Sequence, residues 1–268
     1  MKTVVNNSLT HYVDIGISTA VPVVFIHGFP FSHKMWTFPG GQTESIATQN
    51  RIIAYDVRGH GDSEVGDAQY SIEFFVDDFF GLLDHLNVSK AIVVGMSMGG
   101  YIALRAYERN PERFRGLVLC DTKAEADSND AKVRRSASLK AIKQNGPRVF
   151  AQEFVANIFS AHSFNTKPDI IKFIQSVIER TSPASLCATL LALAARTDTS
   201  HILPTIAVPT LLLFGEQDGL TPPAVGKAMF DKIPNARFEI IPKAGHMANM
   251  ENPEVFNQHF VEFISSIK

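Results

Sequence analysis

Short apolar runs alternate with longer stretches of helical periodicity along most of the chain. The runs are rich in Val, Ile, Leu and Phe and lack the polar alternation of a half-exposed strand, which is typical of strands buried on both faces of a parallel sheet. They occupy residues 21–28, 51–57, 90–96, 114–121, 210–216 and 236–242. The pattern predicts an α/β protein with a mostly parallel sheet covered by helices on both faces. Residues 4–15 are interpreted as an N-terminal hairpin.

Three helices can be placed against these strands. Residues 71–87 carry apolar side chains at helical spacing, with Ser71 as the expected N-cap. A second helix begins directly after Ser97 and ends before Pro111, because the residue preceding a proline disfavours helical backbone angles. The amphipathic segment 255–267 is predicted to be the last helix.

The alternation stops between residues 122 and about 200, where helical stretches occur without a convincing strand. We interpret residues 122–182 as a helical cap inserted into a core domain made of residues 1–121 and 183–268. The helix that starts at residue 183 is expected to lead back to the sheet. A cap above the carboxyl ends of parallel strands would cover the crevice where ligands bind in this architecture.

Composition excludes several classes of protein. The 25 basic residues nearly balance the 27 acidic ones, and the net charge of −2 argues against a nucleic-acid or membrane-surface partner. No signal-peptide core or membrane-spanning run is visible, so we expect a cytoplasmic protein. Cys120 and Cys187 are interpreted as core residues. No Cys/His cluster has metal-ligand spacing, so no metal is expected.

The pentapeptide GMSMG at residues 95–99 follows a predicted strand and opens a predicted helix. G-x-S-x-G in this context is the nucleophile elbow, a tight turn that presents a serine hydroxyl above the sheet. The strained turn requires neighbours without side chains, which Gly95 and Gly99 provide. Ser97 is therefore the candidate nucleophile.

A serine hydroxyl needs a base that removes its proton and a third group that orients the base. In this architecture both follow the serine in the order acid, then histidine, on loops after later strands. His246 lies just after the last predicted strand and is the candidate base. The other eight histidines lie too early in the chain or away from a strand end.

Asp218 follows the strand at 210–216 and is the candidate acid, although Asp-Gly is also ordinary turn chemistry. Asp121 ends another strand and stays open as the rival.

Acyl transfer also needs two backbone donors for the oxyanion. The amide of Met98 is one candidate, and the amide of Phe29 is the other because Pro30 has no N–H.

Five segments carry a resemblance to a known family: HGFPFSHKMW, DVRGHGDS, GMSMGG, FGEQDGLTP and AGHMANMENPEVFN. Together they resemble the serine-hydrolase branch of the α/β-hydrolase superfamily, closest to carboxylesterases and 3-oxoadipate enol-lactonase-like enzymes. The resemblance implies an eight-stranded, mostly parallel sheet, a helical cap, a triad of Ser97, Asp218 and His246, and no cofactor. It also implies that Asp56, Arg58, Gly59, Gly61 and Asp62 form a structural turn. A serine at the elbow disfavours the dehalogenase and epoxide-hydrolase branches, which use an aspartate.

The expected function is hydrolysis of carboxylic esters with small acyl groups. Phe29, Phe31, Met96 and Met98 near the elbow favour an apolar pocket and a small uncharged ester. Perhydrolysis would be a side activity of the same site.

Two alternatives stay open. An enol-lactone hydrolase would use the same chemistry and would need a basic residue for a dicarboxylate substrate, for which Arg134, Arg135 and Arg148 are sources. A non-catalytic ligand-binding module on the same fold is the other. The oligomeric state is left open.

Overall fold

The computed structural model describes residues 1–267, and these contain eight strands in one sheet. Lys268, the last residue of the predicted core segment 183–268, lies outside the described residues. The strands are Lys2–Val5 (β1), Ser8–Gly16 (β2), Pro22–Ile26 (β3), Arg51–Tyr55 (β4), Ala91–Met96 (β5), Phe114–Cys120 (β6), Thr210–Gly215 (β7) and Ala236–Ile241 (β8). All six predicted core strands and the N-terminal hairpin are confirmed.

The strand order is β1-β2-β4-β3-β5-β6-β7-β8. From β4 to β8 every neighbouring pair is parallel, whereas β2 runs antiparallel to both β1 and β4. The mostly parallel sheet predicted from the apolar runs is confirmed. Because the carboxyl ends of β3, β5, β6, β7 and β8 meet at one edge, the loops that follow these strands converge there.

Ten α-helices connect or cover the strands within residues 1–267. They are Gln42–Ile46 (α1), Ile72–His85 (α2), Met98–Arg109 (α3), Asn129–Ile158 (α4), Ala161–Thr166 (α5), Pro168–Arg180 (α6), Pro183–Ala195 (α7), Pro223–Phe230 (α8), Ala248–Glu251 (α9) and Pro253–Ser266 (α10). Helix α3 packs on β3 and β5, and α10 packs on β7 and β8. None of these helices is both long and apolar enough to cross a membrane.

Helix α2 begins where the sequence predicts it. The Ser71 hydroxyl accepts a hydrogen bond from the Phe74 amide at 3.1 Å, which confirms Ser71 as the N-cap. Helix α3 ends at Arg109, before Pro111.

The helices α4 to α7 lie between β6 and β7 in the chain, and α4 to α6 fall within the predicted cap. Helix α4 has two segments that meet at Gly146, where φ is +79°. A positive φ favours glycine, and Pro147 then starts the second segment, so the range Asn129–Ile158 consists of two helical segments that meet at a kink. Helix α7 was expected to lead back to the sheet, and it also packs against α4.

Replacing Ser71 by alanine should lower the free energy of unfolding by about 1 kcal/mol, because the Phe74 amide loses its cap. The matched control is Ser182→Ala at the start of α7, where no side-chain cap exists. Urea unfolding of both variants measures the difference. Equal effects in the two variants would contradict the capping role of Ser71.

Candidate active site

Ser97 lies at the turn between β5 and α3 with φ of +50° and ψ of −112°. This is a strained conformation for a residue with a side chain. The Ser97 amide donates to the Cys120 carbonyl at 2.9 Å, and the Thr122 hydroxyl donates to the Ser97 carbonyl at 2.7 Å. The end of β6 therefore holds the serine backbone in place while its side chain stays partly exposed.

Two glycines let the backbones around this turn approach each other. A Cβ at Gly95 would lie 2.3 Å from the Gly99 carbonyl oxygen, and a Cβ at Gly99 would lie 2.2 Å from the carbonyl oxygen of Ile26. Neither distance is compatible with a side chain. The steric argument from the G-x-S-x-G spacing is confirmed, and it extends to a contact between the turn and β3.

His246 and Asp218 are directly hydrogen-bonded. His246 Nδ1 lies 2.7 Å from Asp218 Oδ2, although the two residues are 28 positions apart in the chain. An ionised carboxylate only accepts hydrogen bonds, so Nδ1 carries the proton and donates it to Asp218. The other ring nitrogen, Nε2, is then the one free to accept a proton.

Asp218 is held by Thr221 as well as by the imidazole. The Thr221 hydroxyl donates to Asp218 Oδ2 at 2.6 Å, and the amides of Leu220 and Thr221 donate to Oδ1 at 2.7 and 3.1 Å. Burial alone would raise the pKa of Asp218, but His246 and the Thr221 donors outweigh it and lower the pKa. The carboxylate therefore stays ionised beside the imidazole.

The rival acid, Asp121, does not contact the imidazole. It ends β6 and accepts the Gly215 amide at 2.8 Å, within the sheet. Its complete burial raises its pKa well above the usual value, and the nearby charge of Asp218 raises it further. Of the two acids left open by the sequence, the structure brings Asp218 to His246.

The amides of Phe29 and Met98 are both buried near the turn. Met98 is the first residue of α3, so its N–H has no partner within the helix. Phe29 lies in the loop after β3, and within residues 1–267 neither amide donates to a protein acceptor. Two unpaired donors are what an oxyanion requires.

His27 shapes the loop that carries Phe29. Its Nδ1 contacts the Gly28 carbonyl at 2.8 Å, and its Nε2 accepts the Val57 amide at 2.9 Å. Complete burial and, to a smaller extent, the nearby His60 lower the pKa of His27 to about 3, so the ring is neutral at pH 7. Both ring nitrogens are occupied, which fits a structural role.

Asp56 organises the turn after β4. Its carboxylate accepts the backbone amide and Nδ1 of His33 at 2.8 and 2.7 Å, Nδ1 of His11 at 3.1 Å, and the Asp62 amide at 2.9 Å. Gly61 has φ of +54°, and its Cβ would lie 2.3 Å from Asp56 Cγ. His11, His33 and Asp56 together have the donor atoms of a metal site. In this structure, however, Nδ1 of each imidazole is hydrogen-bonded to the Asp56 carboxylate. The implied turn is built around Asp56.

Glu251 is a buried site residue that the sequence analysis missed. Its Oε1 accepts the amides of Gly245 and Met247, on either side of His246, at 2.8 and 3.3 Å. Its Oε2 accepts the Ser160 amide and the Ser163 hydroxyl at 2.8 and 2.6 Å. One carboxylate thus joins residues 245–247, which we call the histidine loop, to the start of α5. The signal in the sequence is the one acid in the short segment between His246 and Pro253.

A cavity of about 460 Å³ opens beside these groups and contains both Ser97 and His246 in its wall. The apolar residues that line it are Phe29, Met98, Phe150, Phe154, Leu190, Leu193 and Leu220. Lys123, Asp127, Arg134 and Arg135 also line it, whereas Arg148 does not. Among residues 1–267 no hydrogen bond joins the Ser97 hydroxyl to the His246 ring; nucleophile and base often close up only when substrate binds.

A strained serine at a strand–turn–helix, beside a His–Asp pair and over a parallel sheet, defines a hydrolase-type site. A family model described as the alpha/beta hydrolase fold matches residues 21–253. The chain therefore belongs to the α/β-hydrolase family, and it is an enzyme of the hydrolase class.

Named relatives cover nearly the whole chain. It is 31% identical over 255 residues to 3-oxoadipate enol-lactonase 1 of Acinetobacter baylyi, covering 94% of this chain and 92% of the relative. A thermophilic esterase from Thermogutta terrifontis has a TM-score of 0.92 at 34% identity, covering 99% of this chain and 96% of that one. The enol-lactonase from Burkholderia xenovorans LB400 has a TM-score of 0.91 at 27% identity, covering 99% and 100%.

Replacing Asp218 by asparagine should lower kcat for ester hydrolysis roughly 10⁴-fold, because the amide disturbs the tautomer and orientation of His246. The control is Asp121→Asn, which keeps an oxygen for the Gly215 amide and should alter kcat by less than about threefold. Steady-state kinetics on a short aryl ester measures both. A larger loss in the Asp121 variant would reverse the assignment of the acid.

Replacing Glu251 by glutamine should lower kcat tenfold or more, which corresponds to about 1.4 kcal/mol in activation free energy. Both oxygens of Glu251 accept backbone N–H groups, so the NH₂ group of glutamine would face one of these donors and displace the histidine loop. Glu254→Gln, on the exposed start of α10, is the matched control. Kinetics and thermal unfolding should be measured together. Unchanged kcat in a folded Glu251→Gln protein would show that this carboxylate does not position His246.

Proposed function

We propose that the protein hydrolyses carboxylic esters through an acyl-enzyme formed on Ser97. The observation that carries the proposal is the His246–Asp218 hydrogen bond of 2.7 Å in the wall of the cavity that contains the strained serine. The names of the relatives, esterase and enol-lactonase, support the same bond chemistry.

In the acylation step, Ser97 Oγ attacks the ester carbonyl carbon while His246 Nε2 takes the hydroxyl proton. The C–O bond to the alcohol then breaks, and the imidazolium returns the proton to the departing alkoxide. Asp218 holds the tautomer and stabilises the positive charge of the imidazolium.

In the deacylation step, a water molecule gives a proton to His246 Nε2 and attacks the acyl carbon. The bond to Ser97 Oγ breaks, the proton passes to that oxygen, and the carboxylic acid leaves. In both steps the negative charge on the carbonyl oxygen is accepted by the amides of Phe29 and Met98. Each such donor contributes about 3–4 kcal/mol to transition-state stabilisation in well-studied enzymes.

The domain division belongs to the proposal. Residues 1–121 and 183–268 form the core that carries the reacting groups, and residues 122–182 form a cap. Side chains of α4 such as Arg134, Phe150 and Phe154 line the cavity that contains Ser97, which supports a role of the cap in selecting the substrate. The substrate is a small molecule, and a cytoplasmic location stays a prediction.

Replacing Ser97 by alanine should lower hydrolysis of p-nitrophenyl acetate by about 10⁴-fold or more and abolish the burst of nitrophenol. Ser182→Ala serves as the control, since it removes a hydroxyl away from the cavity. Covalent labelling by an aryl phosphonate, read by mass spectrometry, should occur at Ser97 in the unmodified protein.

The alternatives give different results in the same assay. A ligand-binding module would bind small esters without turnover and without dependence on Ser97. An enol-lactone hydrolase would show a far higher kcat/KM for a dicarboxylate enol-lactone than for any open-chain ester.

A further inference from the structure

The first turn of α3 turns two side chains toward the cavity that contains Ser97. Met98 and Tyr101 line this cavity, whereas Gly99 and Gly100 pack closely on the segments that end β3 and follow β6. Side chains of a helix lean toward its N-terminus, so Tyr101, one turn after Ser97, extends back toward the nucleophile. The Tyr101 amide donates to the Ser97 carbonyl at 3.2 Å, which fixes the spacing of the two residues.

The hydroxyl of Tyr101 is a buried donor without a backbone partner. Only 8% of Tyr101 is exposed, and among residues 1–267 the polar side chain that interacts with its hydroxyl is Ser97 itself. The hydroxyls of Tyr70 and Tyr107, in contrast, are hydrogen-bonded to backbone groups at 2.6 and 3.0 Å. When Ser97 is acylated its oxygen becomes an ester oxygen, a weaker acceptor, so the phenol then needs another acceptor.

The charge of Arg196 strengthens this donor. The Arg196 guanidinium lies 4.2 Å from the ring centre of Tyr101, and its own N–H groups donate to the Asp127 carboxylate and the Glu125 carbonyl at 2.6 and 2.8 Å. Burial raises the pKa of Tyr101, and the charge of Arg196 lowers it only in part, so the phenol keeps its proton at pH 7. Tyr101 therefore presents one uncharged O–H that a neighbouring cation polarises.

The apolar side chains in the same cavity make this donor selective. Met98, Leu190 and Leu193 line the cavity together with Tyr101 and offer the phenol no acceptor. A methylene group of a substrate placed against the hydroxyl would leave a buried donor unpaired, whereas an oxygen at the same place would accept its hydrogen bond. A buried polar group of this kind discriminates between such substrates more strongly than an apolar pocket does.

We propose that Tyr101 is a substrate-binding residue whose hydroxyl donates a hydrogen bond to an uncharged oxygen of the substrate. The preferred substrates are short esters that carry an ether or alcohol oxygen within a few bonds of the scissile ester group. The proposal rests on the ester hydrolysis proposed above and narrows its substrate class. It keeps the small uncharged ester expected from the sequence and adds a polar atom to it.

Two pairs of esters that differ only by an ether oxygen in place of a methylene test this contact. Methyl methoxyacetate is compared with methyl butyrate on the acyl side, and 2-methoxyethyl acetate with butyl acetate on the alcohol side. Hydrolysis is followed by pH-stat, and each ratio of kcat/KM is divided by the ratio of the alkaline hydrolysis rates, which removes intrinsic reactivity. In at least one pair we expect a corrected preference of about fivefold or more for the ether ester.

The variant Tyr101→Phe removes the hydroxyl and keeps the ring. It should bring the corrected ratio to about one, and kcat/KM for the alkyl ester should stay within about threefold or rise, because no unpaired hydroxyl remains. The control is Tyr107→Phe, on the same helix but outside the cavity, which loses a bond to the Ala207 amide and should leave the ratio unchanged. No corrected preference in either pair, a preference that survives in Tyr101→Phe, or an equal fall on both esters of a pair would overturn the contact while leaving ester hydrolysis intact.

Nuclear magnetic resonance separates this proposal from the proposed function. The chain has five tyrosines, so with carbon-13 at the phenol carbon the Tyr101 signal is identified by its loss in Tyr101→Phe. In a Ser97→Ala protein, the ether ester preferred in the kinetic assay, or each of the two in turn if no ester is hydrolysed, should shift this signal more than its alkyl partner does. Equal shifts, or none, would overturn the hydrogen bond. A specific shift without hydrolysis of any ester by the unmodified protein would refute the proposed function and keep the Tyr101 contact.

Discussion

The contact between Gly99 and the carbonyl of Ile26 sets the geometry on which the site depends. The first turn of α3 approaches the end of β3 so closely that no Cβ fits between them. The strand end at Ile26 leads into the loop with the Phe29 amide, and the turn itself supplies Ser97 and the Met98 amide. One backbone contact therefore fixes the spacing of the Phe29 and Met98 amides, the proposed oxyanion donors, relative to Ser97, without any side chain whose rotamer could vary.

The histidine loop is held by hydrogen bonds to residues distant in the chain rather than by a close contact at a glycine. The His246 amide donates to the Ile158 carbonyl at 2.7 Å, and Glu251 binds the amides on both sides of His246. The same carboxylate binds Ser160 and Ser163 of the inserted helices. The imidazole is thus positioned against the insertion as much as against the sheet. A shift of α5 would reach the loop that carries His246 through the four hydrogen bonds of Glu251.

Sequence reasoning worked where a physical requirement is local. The spacing of glycines around Ser97 predicts a tight turn, the apolar runs predict buried strands, and Ser71 predicts the start of a helix. It failed where side chains distant in the chain meet: Glu251 with Ser160, Asp56 with His11 and His33, and Asp127 with Arg196. The sequence alone does not distinguish a buried acid from an exposed one when its hydrogen-bond donors lie far away in the chain.

An ion-pair cluster around Asp127 joins the segments before α4 and after α7. Arg196 follows α7 and binds Asp127 and the Glu125 carbonyl, while the Thr199 amide binds the Ala124 carbonyl at 3.0 Å, so the two connecting segments are tied to each other. The cations that hold this junction repel one another, and Asp127 offsets only part of that repulsion. The charge balance of the junction therefore depends on Asp127 staying ionised, and the charges of Arg135 and Arg196 favour that by lowering its pKa to about 2.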